Sequence, residues 1–383
     1  MMIRPAALAA CLLAGVLWDA PAGAQGTRLR LVPAARVALP AGAVASPAVD
    51  VATNSAGEAF VLFPQPGVVR VFGPDGRPRR EILGQRGQAG PAGASRLHLF
   101  RDTLVIGSGG RLAMYEPAGR YLRTIAFSAS VAGRGMDPAI PFTLLSDGTV
   151  LSVPRLVAAA QAAGRVRALP LLRTARQGMI LDTIGWQSVR NGVMAVRDPV
   201  DATRQIFTQQ PWRDDDLLAV APDGRWIAVV TREAARESGN AAFRVTRLSP
   251  GGDTLSSRLF PYSPVRLDDA AVERRLARFA ENPSFVVGGR FIRAAVREAM
   301  YVPRFLPPVT RVVAGSDGTL WLRREEPSGG TVRWDVLDPR NRKVGEASTG
   351  PGFRLLEAQA DAVWGVPDDG AELTRFRVQR GEG

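Results

Sequence analysis

One pattern recurs along this chain and limits what it can fold into. A short apolar strand runs into a tight turn carrying Asp-Gly or a similar pair, and a second apolar strand follows. Asn54-Ser55-Ala56-Gly57 precedes Phe60-Val61-Leu62, and Phe100-Arg101-Asp102 precedes Leu104-Val105-Ile106. Ser146-Asp147-Gly148 leads into Val150-Leu151, and Pro222-Asp223-Gly224 into Trp226-Ile227-Ala228-Val229. Ser316-Asp317-Gly318 precedes Leu320-Trp321-Leu322, and Gln359-Ala360-Asp361 precedes Val363-Trp364-Gly365-Val366.

A second hairpin follows most of these copies. Val69-Arg70-Val71-Phe72 turns at Gly73-Pro74-Asp75-Gly76, and Leu112-Ala113-Met114-Tyr115 turns at Glu116-Pro117-Ala118-Gly119. Val245-Thr246-Arg247-Leu248 precedes Ser249-Pro250-Gly251-Gly252, and Trp334-Asp335-Val336-Leu337 precedes Asp338-Pro339-Arg340-Asn341. Pro presets φ early in such turns, and Gly or Asn takes the positive φ that they need. Two hairpins in succession make a four-stranded antiparallel unit.

Where the copies follow one another directly they are about 45 residues apart, the repeat length of a propeller blade. A single sheet of this size cannot bury both faces, whereas six packed radially can if the ring is closed. The sequence therefore predicts an all-β, six-bladed β-propeller of four-stranded antiparallel blades. The segment from Leu29-Arg30-Leu31 to Val37-Ala38-Leu39 precedes the first copy. It is expected to complete the last blade beside Phe376-Arg377-Val378.

Two intervals exceed the repeat. One, from Pro154 to Asp216, reads as an irregular insertion long enough to hide a seventh blade. The other, about 264–308, reads as a small helical insertion. Asp268-Asp269 can cap a helix with Val272, Leu276 and Phe279 on one face, and Phe291 to Met300 places Ile292, Val296 and Ala299 on another.

Val71-Phe72-Gly73-Pro74-Asp75-Gly76-Arg77, followed by Ile82-Leu83-Gly84-Gln85-Arg86-Gly87, resembles the NHL-repeat type of six-bladed propeller. The likeness is a motif over one blade and an architecture over most of the chain. It implies a binding platform for proteins, nucleic acids or sugars, or less often a lactonase-like or lyase-like enzyme. Fold resemblance alone does not choose among these.

The N-terminus points to export. Met1 to Arg4 form a short basic segment, Ala6 to Trp18 an apolar stretch too short to span a bilayer, and Ala22-Gly23-Ala24 a small-x-small cleavage pattern. Residues 1–24 are expected to be a signal peptide, leaving 25–383 as one secreted or periplasmic propeller without a membrane span. Leu8-Ala9-Ala10-Cys11 also resembles a lipidation box, but cleavage there leaves a poor apolar stretch, so a soluble product is preferred. Cys11 is the single cysteine and departs with the signal, so disulfides and thiol chemistry are not expected.

At 46% apolar and 22% charged residues the composition is globular. The formal charge of +13 comes almost wholly from Arg, Lys343 being the lone Lys. These residues are scattered, without the clustered basic tract interleaved with aromatics that marks a nucleic-acid footprint, so nucleic acid is not an expected partner.

His98 is the one histidine. It alternates within Leu97-His98-Leu99-Phe100 without an evident orienting partner, so a structural role is expected and no catalytic residue is assigned. A nitrogen and sulfur zinc site has too few ligands, and no cofactor or metal is expected. A calcium-dependent lactonase-like channel needs converging Asp, Glu and Asn. Asp182, Asn191, Asn240 and Glu298 are conceivable ligands, while Asp214-Asp215-Asp216 reads as a turn. Trp226, Trp321 and Trp364 sit at matching positions and are expected to pack between blades.

Departures from the repeat are free to carry recognition. The candidate binding residues are therefore Arg293, Arg297, Tyr301 and Arg304 in the helical insertion, with Arg290 before them, and Trp186 and Trp212 in the other. The expected function is a monomeric, non-catalytic binding or scaffold module for a protein, small-molecule or carbohydrate ligand. A metal-dependent hydrolase is the alternative, and a purely structural envelope part is a third reading.

Overall fold

The computed structural model describes residues 27–38, 50–63, 67–83, 94–131, 136–190, 192–198, 201, 203, 205–232, 241–280, 285–287, 290–324, 330–359, 361–366 and 372–381. The signal segment, Leu39 and the Gly84–Gly87 part of the repeat signature lie outside them. The first strand, β1 (Thr27–Ala38), is set aside until its blade is reached. Blade 1 is β2 (Asp50–Thr53), β3 (Ala59–Phe63), β4 (Val68–Phe72) and β5 (Pro78–Leu83). Blade 2 is β6 (Ala94–Phe100), β7 (Thr103–Ser108), β8 (Arg111–Tyr115) and β9 (Tyr121–Ala126). Blade 3 is β10 (Met136–Leu144), β11 (Val150–Leu156), β12 (Ala168–Thr174) and β13 (Ile180–Ser188), with the short α1 (Ala158–Ala162) between its second and third strands.

A two-stranded hairpin, β14 (Val193–Arg197) and β15 (Gln205–Gln209), then intervenes. Blade 4 follows as β16 (Leu217–Val220), β17 (Ile227–Arg232), β18 (Ala242–Leu248) and β19 (Thr254–Pro261). The second insertion holds α2 (Asp269–Phe279), the small ladder β20 (Val286–Val287) and β21 (Arg290–Phe291), and α3 (Arg293–Ala299). Blade 5 is β22 (Arg311–Ala314), β23 (Leu320–Arg324), β24 (Val332–Leu337) and β25 (Lys343–Thr349). Blade 6 takes β26 (Arg354–Ala358), β27 (Ala362–Val366) and β28 (Glu372–Arg380) from the C-terminus and β1 from the N-terminus.

The predicted closure is present. β1 runs antiparallel to β28, with Leu31 opposite Val378 and Pro33 opposite Phe376. Its first residues also pair in parallel with β25, Thr27 opposite Gly345, so blades 5 and 6 share one continuous ladder.

Among the described residues, an apolar layer lies between each pair of neighbouring blades. Strand alternation produces these layers. In β3, Ala59, Val61 and Phe63 face blade 6 beside Trp364 and Leu373, while Phe60 and Leu62 face blade 2 beside Leu104 and Ile106. Both faces are covered, which is why all five residues are buried. Trp321 and Trp364 fill the layers toward the following blade, and Trp226 packs against the layer between blades 4 and 5. The turns behave as their sequence requires. Gly224 has φ +68, and a Cβ there would stand 2.6 Å from the Leu144 carbonyl of blade 3.

One expectation needs correction. The interval from Pro154 to Asp216 is largely blade 3 itself, because β12 and β13 form its outer hairpin around the turn at Ala175–Gly178. Only α1 and the β14–β15 hairpin are extra, and this hairpin is not a seventh blade. Trp186 accordingly sits on β13, the strand of blade 3 farthest from the ring's centre, and not in an irregular insertion. The two insertions, moreover, form one lobe. Met194, Val196 and Trp212 from the first share a core with Val272, Leu276, Ile292 and Val296 from the second. The predicted helices both form, and Asp268 caps the first by accepting from the Ala271 amide at 2.6 Å.

Candidate ligand site at the mouth of the bore

Each four-stranded blade returns the chain to the end from which it started. The six inner strands β2, β6, β10, β16, β22 and β26 therefore run the same way around a central bore, a cavity of about 320 Å³ lined by residues of all six. Val51, Ala52, Leu218, Val312 and Val313 give it apolar walls. Its ionisable groups fall at two levels.

At the upstream mouth, where the inner strands begin, one carboxylate meets three guanidiniums. Asp50, the first residue of β2, accepts from its neighbour Val51 N at 3.0 Å and from Leu97 N of blade 2 at 2.8 Å. Burial raises its pKa to about 6, against the pull of those two amides and of Arg311 and Arg96. Arg311 opens β22 and is lowered to about 10, first by burial and then by the like charge of Arg354, with Asp50 acting the other way. Arg354 opens β26 and is lowered for the same first reason. Arg96 faces the bore with its guanidinium 3.3 Å over the Phe142 ring, and the enclosing walls bring it to about 10.

Lower in the bore, Glu357 accepts from Thr53 N at 2.9 Å and from the Thr53 hydroxyl, joining blade 6 to blade 1. Burial, aided by Asp50, raises it to about 7. His98 Nε2 lies 3.0 Å from Thr143 Oγ1, and burial followed by Arg96 depresses it to about 4, so the ring is neutral at physiological pH.

Glu357 gives a pH prediction. Its folded pKa stands above its usual 4.5. The stabilisation from the bound proton is thus complete below 4.5 and lost as pH rises through about 7. The shift is worth on the order of 3 kcal/mol once the group must ionise in place. Glu357→Gln should therefore melt above the parent protein at pH 8, with the difference gone near pH 4. A variant no more stable than the parent at pH 8 would contradict the assignment.

The residues singled out from sequence do not converge here. Arg293 pairs with Glu273 across α2 and α3, and Arg297 is exposed on α3. Arg304 is exposed with its guanidinium 5.6 Å from the Phe305 ring centroid. Tyr301 donates its hydroxyl to Asp214 at 2.6 Å and its amide to Gln210 at 2.8 Å, stitching the two insertions together. Trp212 is buried in the lobe's core, and Trp186 is 60% exposed on the outer edge of blade 3. Asp182 is also on β13, paired with Arg173 at 2.5 Å, and Glu298 is on α3. Asn191, Asn240 and the Arg290 side chain lie outside what is described. Among the described residues, no three His, Cys, Asp or Glu side chains gather into a metal-sized group.

The mouth residues Asp50, Arg96, Arg311 and Arg354 were missed, although a signal was available. Each is a charged residue four or five positions ahead of a repeat turn. Such a residue at an inner-strand start faces the bore.

The fold and its bore make this chain a six-bladed β-propeller. No family model matches it, and no curated protein matches it either. Among solved structures, it is similar to a member of the DUF4221 family from Bacteroides vulgatus at 11% identity, over 94% of this chain and 100% of that one, with a TM-score of 0.47. It is also similar to BamB from Moraxella catarrhalis at 12% identity, over 85% and 84%, with a TM-score of 0.32. A gluconolactonase from Xanthomonas campestris aligns at 12% identity, over 91% and 98%, with a TM-score of 0.39. Among the described residues, no helix is long and apolar enough to cross a membrane.

Proposed function

We propose that the chain is an exported, NHL-like propeller, one domain over residues 25–383, that serves as a non-catalytic binding module for an anionic ligand held at the upstream mouth of the bore. The observation that carries this reading is the charge imbalance there: among the described residues, Arg96 and Arg311 line the mouth with the one carboxylate Asp50, Arg354 acts on that carboxylate as well, and burial disfavours the charge of all three arginines. An oxyanion relieves such crowding. Guanidinium offers paired N–H donors matched to carboxylate or phosphate, and these bonds are strong where water is scarce.

Calorimetric titration of the purified protein with inorganic phosphate and with acetate tests this. A charge-assisted hydrogen bond contributes about 1.5–3 kcal/mol. Arg96→Gln and Arg354→Gln should thus each weaken binding by roughly tenfold or more. Binding unchanged in both variants would refute the site.

The alternative of a metal-dependent hydrolase draws on Asp50 and Glu357, two carboxylates with raised pKa in one bore. Melting in millimolar calcium against chelator separates the two readings. A rise of several degrees with calcium favours the hydrolase, because a ligand of the folded state stabilises it by mass action.

A further inference from the structure

Beside the bore mouth lies a cleft of about 510 Å³, between the lobe made by the two insertions and the starts of blades 4 and 5. Among the described residues, five arginines line it, Arg213, Arg232, Arg275, Arg311 and Arg323, of which Arg213 is already paired with Asp215. Arg311 also lines the bore, so the cleft and the mouth share a wall.

The cleft is a built feature. Arg232 is 6% exposed, and its guanidinium donates to the Asp215 carbonyl at 2.6 Å and to the Val309 carbonyl at 3.1 Å. It thereby fixes the last residues of both insertions against blade 4. The Asp215 carboxylate accepts from Arg190 N at 2.5 Å and pairs with Arg213 of the cleft at 2.6 Å, which compensates that one guanidinium. The Thr310 hydroxyl, on the cleft wall, is buried with no hydrogen-bond partner among the described residues. A buried hydroxyl of this kind is costly unless a further group satisfies it.

We infer that the cleft is a second oxyanion subsite and that the ligand is a linear molecule carrying two acidic groups, one at the bore mouth and one among the cleft arginines. This rests on the proposed anion binding at the mouth and extends it. Arg275, from α2, and the Thr310 hydroxyl grip the second group, and Arg311 stands between the two. Once the first group is bound, the second binds from a high effective concentration, so a linker of suitable length raises affinity far above that of either acid alone. Carboxylate and phosphate offer the same chemistry to guanidinium, and the choice of probes separates them.

The test is calorimetric titration with acetate, then malonate, glutarate and pimelate, and in parallel with phosphate, pyrophosphate and tripolyphosphate. Affinity should rise at least a hundredfold from the monoanion to the best-spaced dianion in one series, which identifies the acid. Arg275→Gln and Thr310→Val should remove most of that gain. Arg274→Gln, an equal change of charge at an exposed neighbour on the same helix, should have no effect. Equal affinity for monoanions and dianions, with the mouth variants still weakening both, would overturn the second subsite and spare the first. A gain lost equally in Arg274→Gln would mean general charge attraction and also overturn it. No binding of any anion would remove both.

Discussion

Removal of residues 27–38 is expected to abolish cooperative folding of the propeller. β1 supplies the outermost strand of blade 6, paired with β28 from Leu29 opposite Arg380 to Ala38 opposite Glu372. Val37 is fully buried in the layer between blades 6 and 1, and Leu29 and Leu31 pack against the layer between blades 5 and 6. Burying one such side chain contributes about 1.5–3 kcal/mol. With the lost ladder, the truncation should cost at least about 5 kcal/mol, comparable with the whole stability margin of an ordinary domain. It also leaves β28 as a bare edge beside a parted seam, a template for aggregation. Urea unfolding of the truncated chain should show no sharp transition. A normal transition, with the parent's midpoint, would mean that the ring does not depend on its first strand.

The second large effect is expected at Arg247 on β18. This side chain is 2% exposed, and its three nitrogens reach across to blade 5. Nε donates to Asn341 Oδ1 at 2.8 Å, one terminal nitrogen to the Gly318 carbonyl at 2.7 Å, and the other to the Asp338 carbonyl at 2.9 Å. Its guanidinium also lies 4.2 Å from the Trp226 ring centroid. Asn341 answers in the opposite direction, its amide donating to the Val245 carbonyl at 3.1 Å and to Ser256 Oγ at 2.9 Å. Asn341 can do so because it takes the left-handed conformation, φ 58, at the end of the Asp338–Asn341 turn. Arg247→Ala leaves three neutral acceptors at a blade interface without their donor, and at about 1–3 kcal/mol for each unmet hydrogen bond the loss should be about 3–5 kcal/mol. Arg247→Lys keeps the charge but not the three-way fork, and should recover only part of this. Denaturation midpoints of the two variants decide the matter. A loss below about 1 kcal/mol in Arg247→Ala would show that the clamp is incidental.

The ring and its closure were legible in the residues because both are written as local patterns. Turn pairs such as Asp317-Gly318 and Asp338-Pro339 mark hairpins by their own backbone needs, and a spare strand at one end calls for a blade short of one at the other. The helices of the second insertion were legible by their spacing. The outer hairpin of blade 3 was not, because its turn at Ala175–Gly178 carries Arg-Gln where other copies carry Pro. The joining of the two insertions was also invisible. Gln210 reaches Tyr301 and Ala299 across about ninety residues, and periodicity does not encode such a contact. The mouth cluster was hidden for a related reason. Asp50, Arg96, Arg311 and Arg354 look like ordinary surface charges until the ring brings their strand starts together.

The pairing of β1 with both β28 and β25 also fixes an order of events. Of the strands that build the ring, β1 is the first to leave a ribosome, and its partners are among the last to arrive. Blades 1 to 5 carry all four of their strands in sequence and can assemble as they emerge. Blade 6 cannot, since Leu31 must wait for Val378. Contacts across so long a stretch of chain form slowly. Until then the polypeptide is an open arc with two sticky ends, and the seam between its first and last residues sets how long it stays exposed to chaperones, proteases and neighbouring copies.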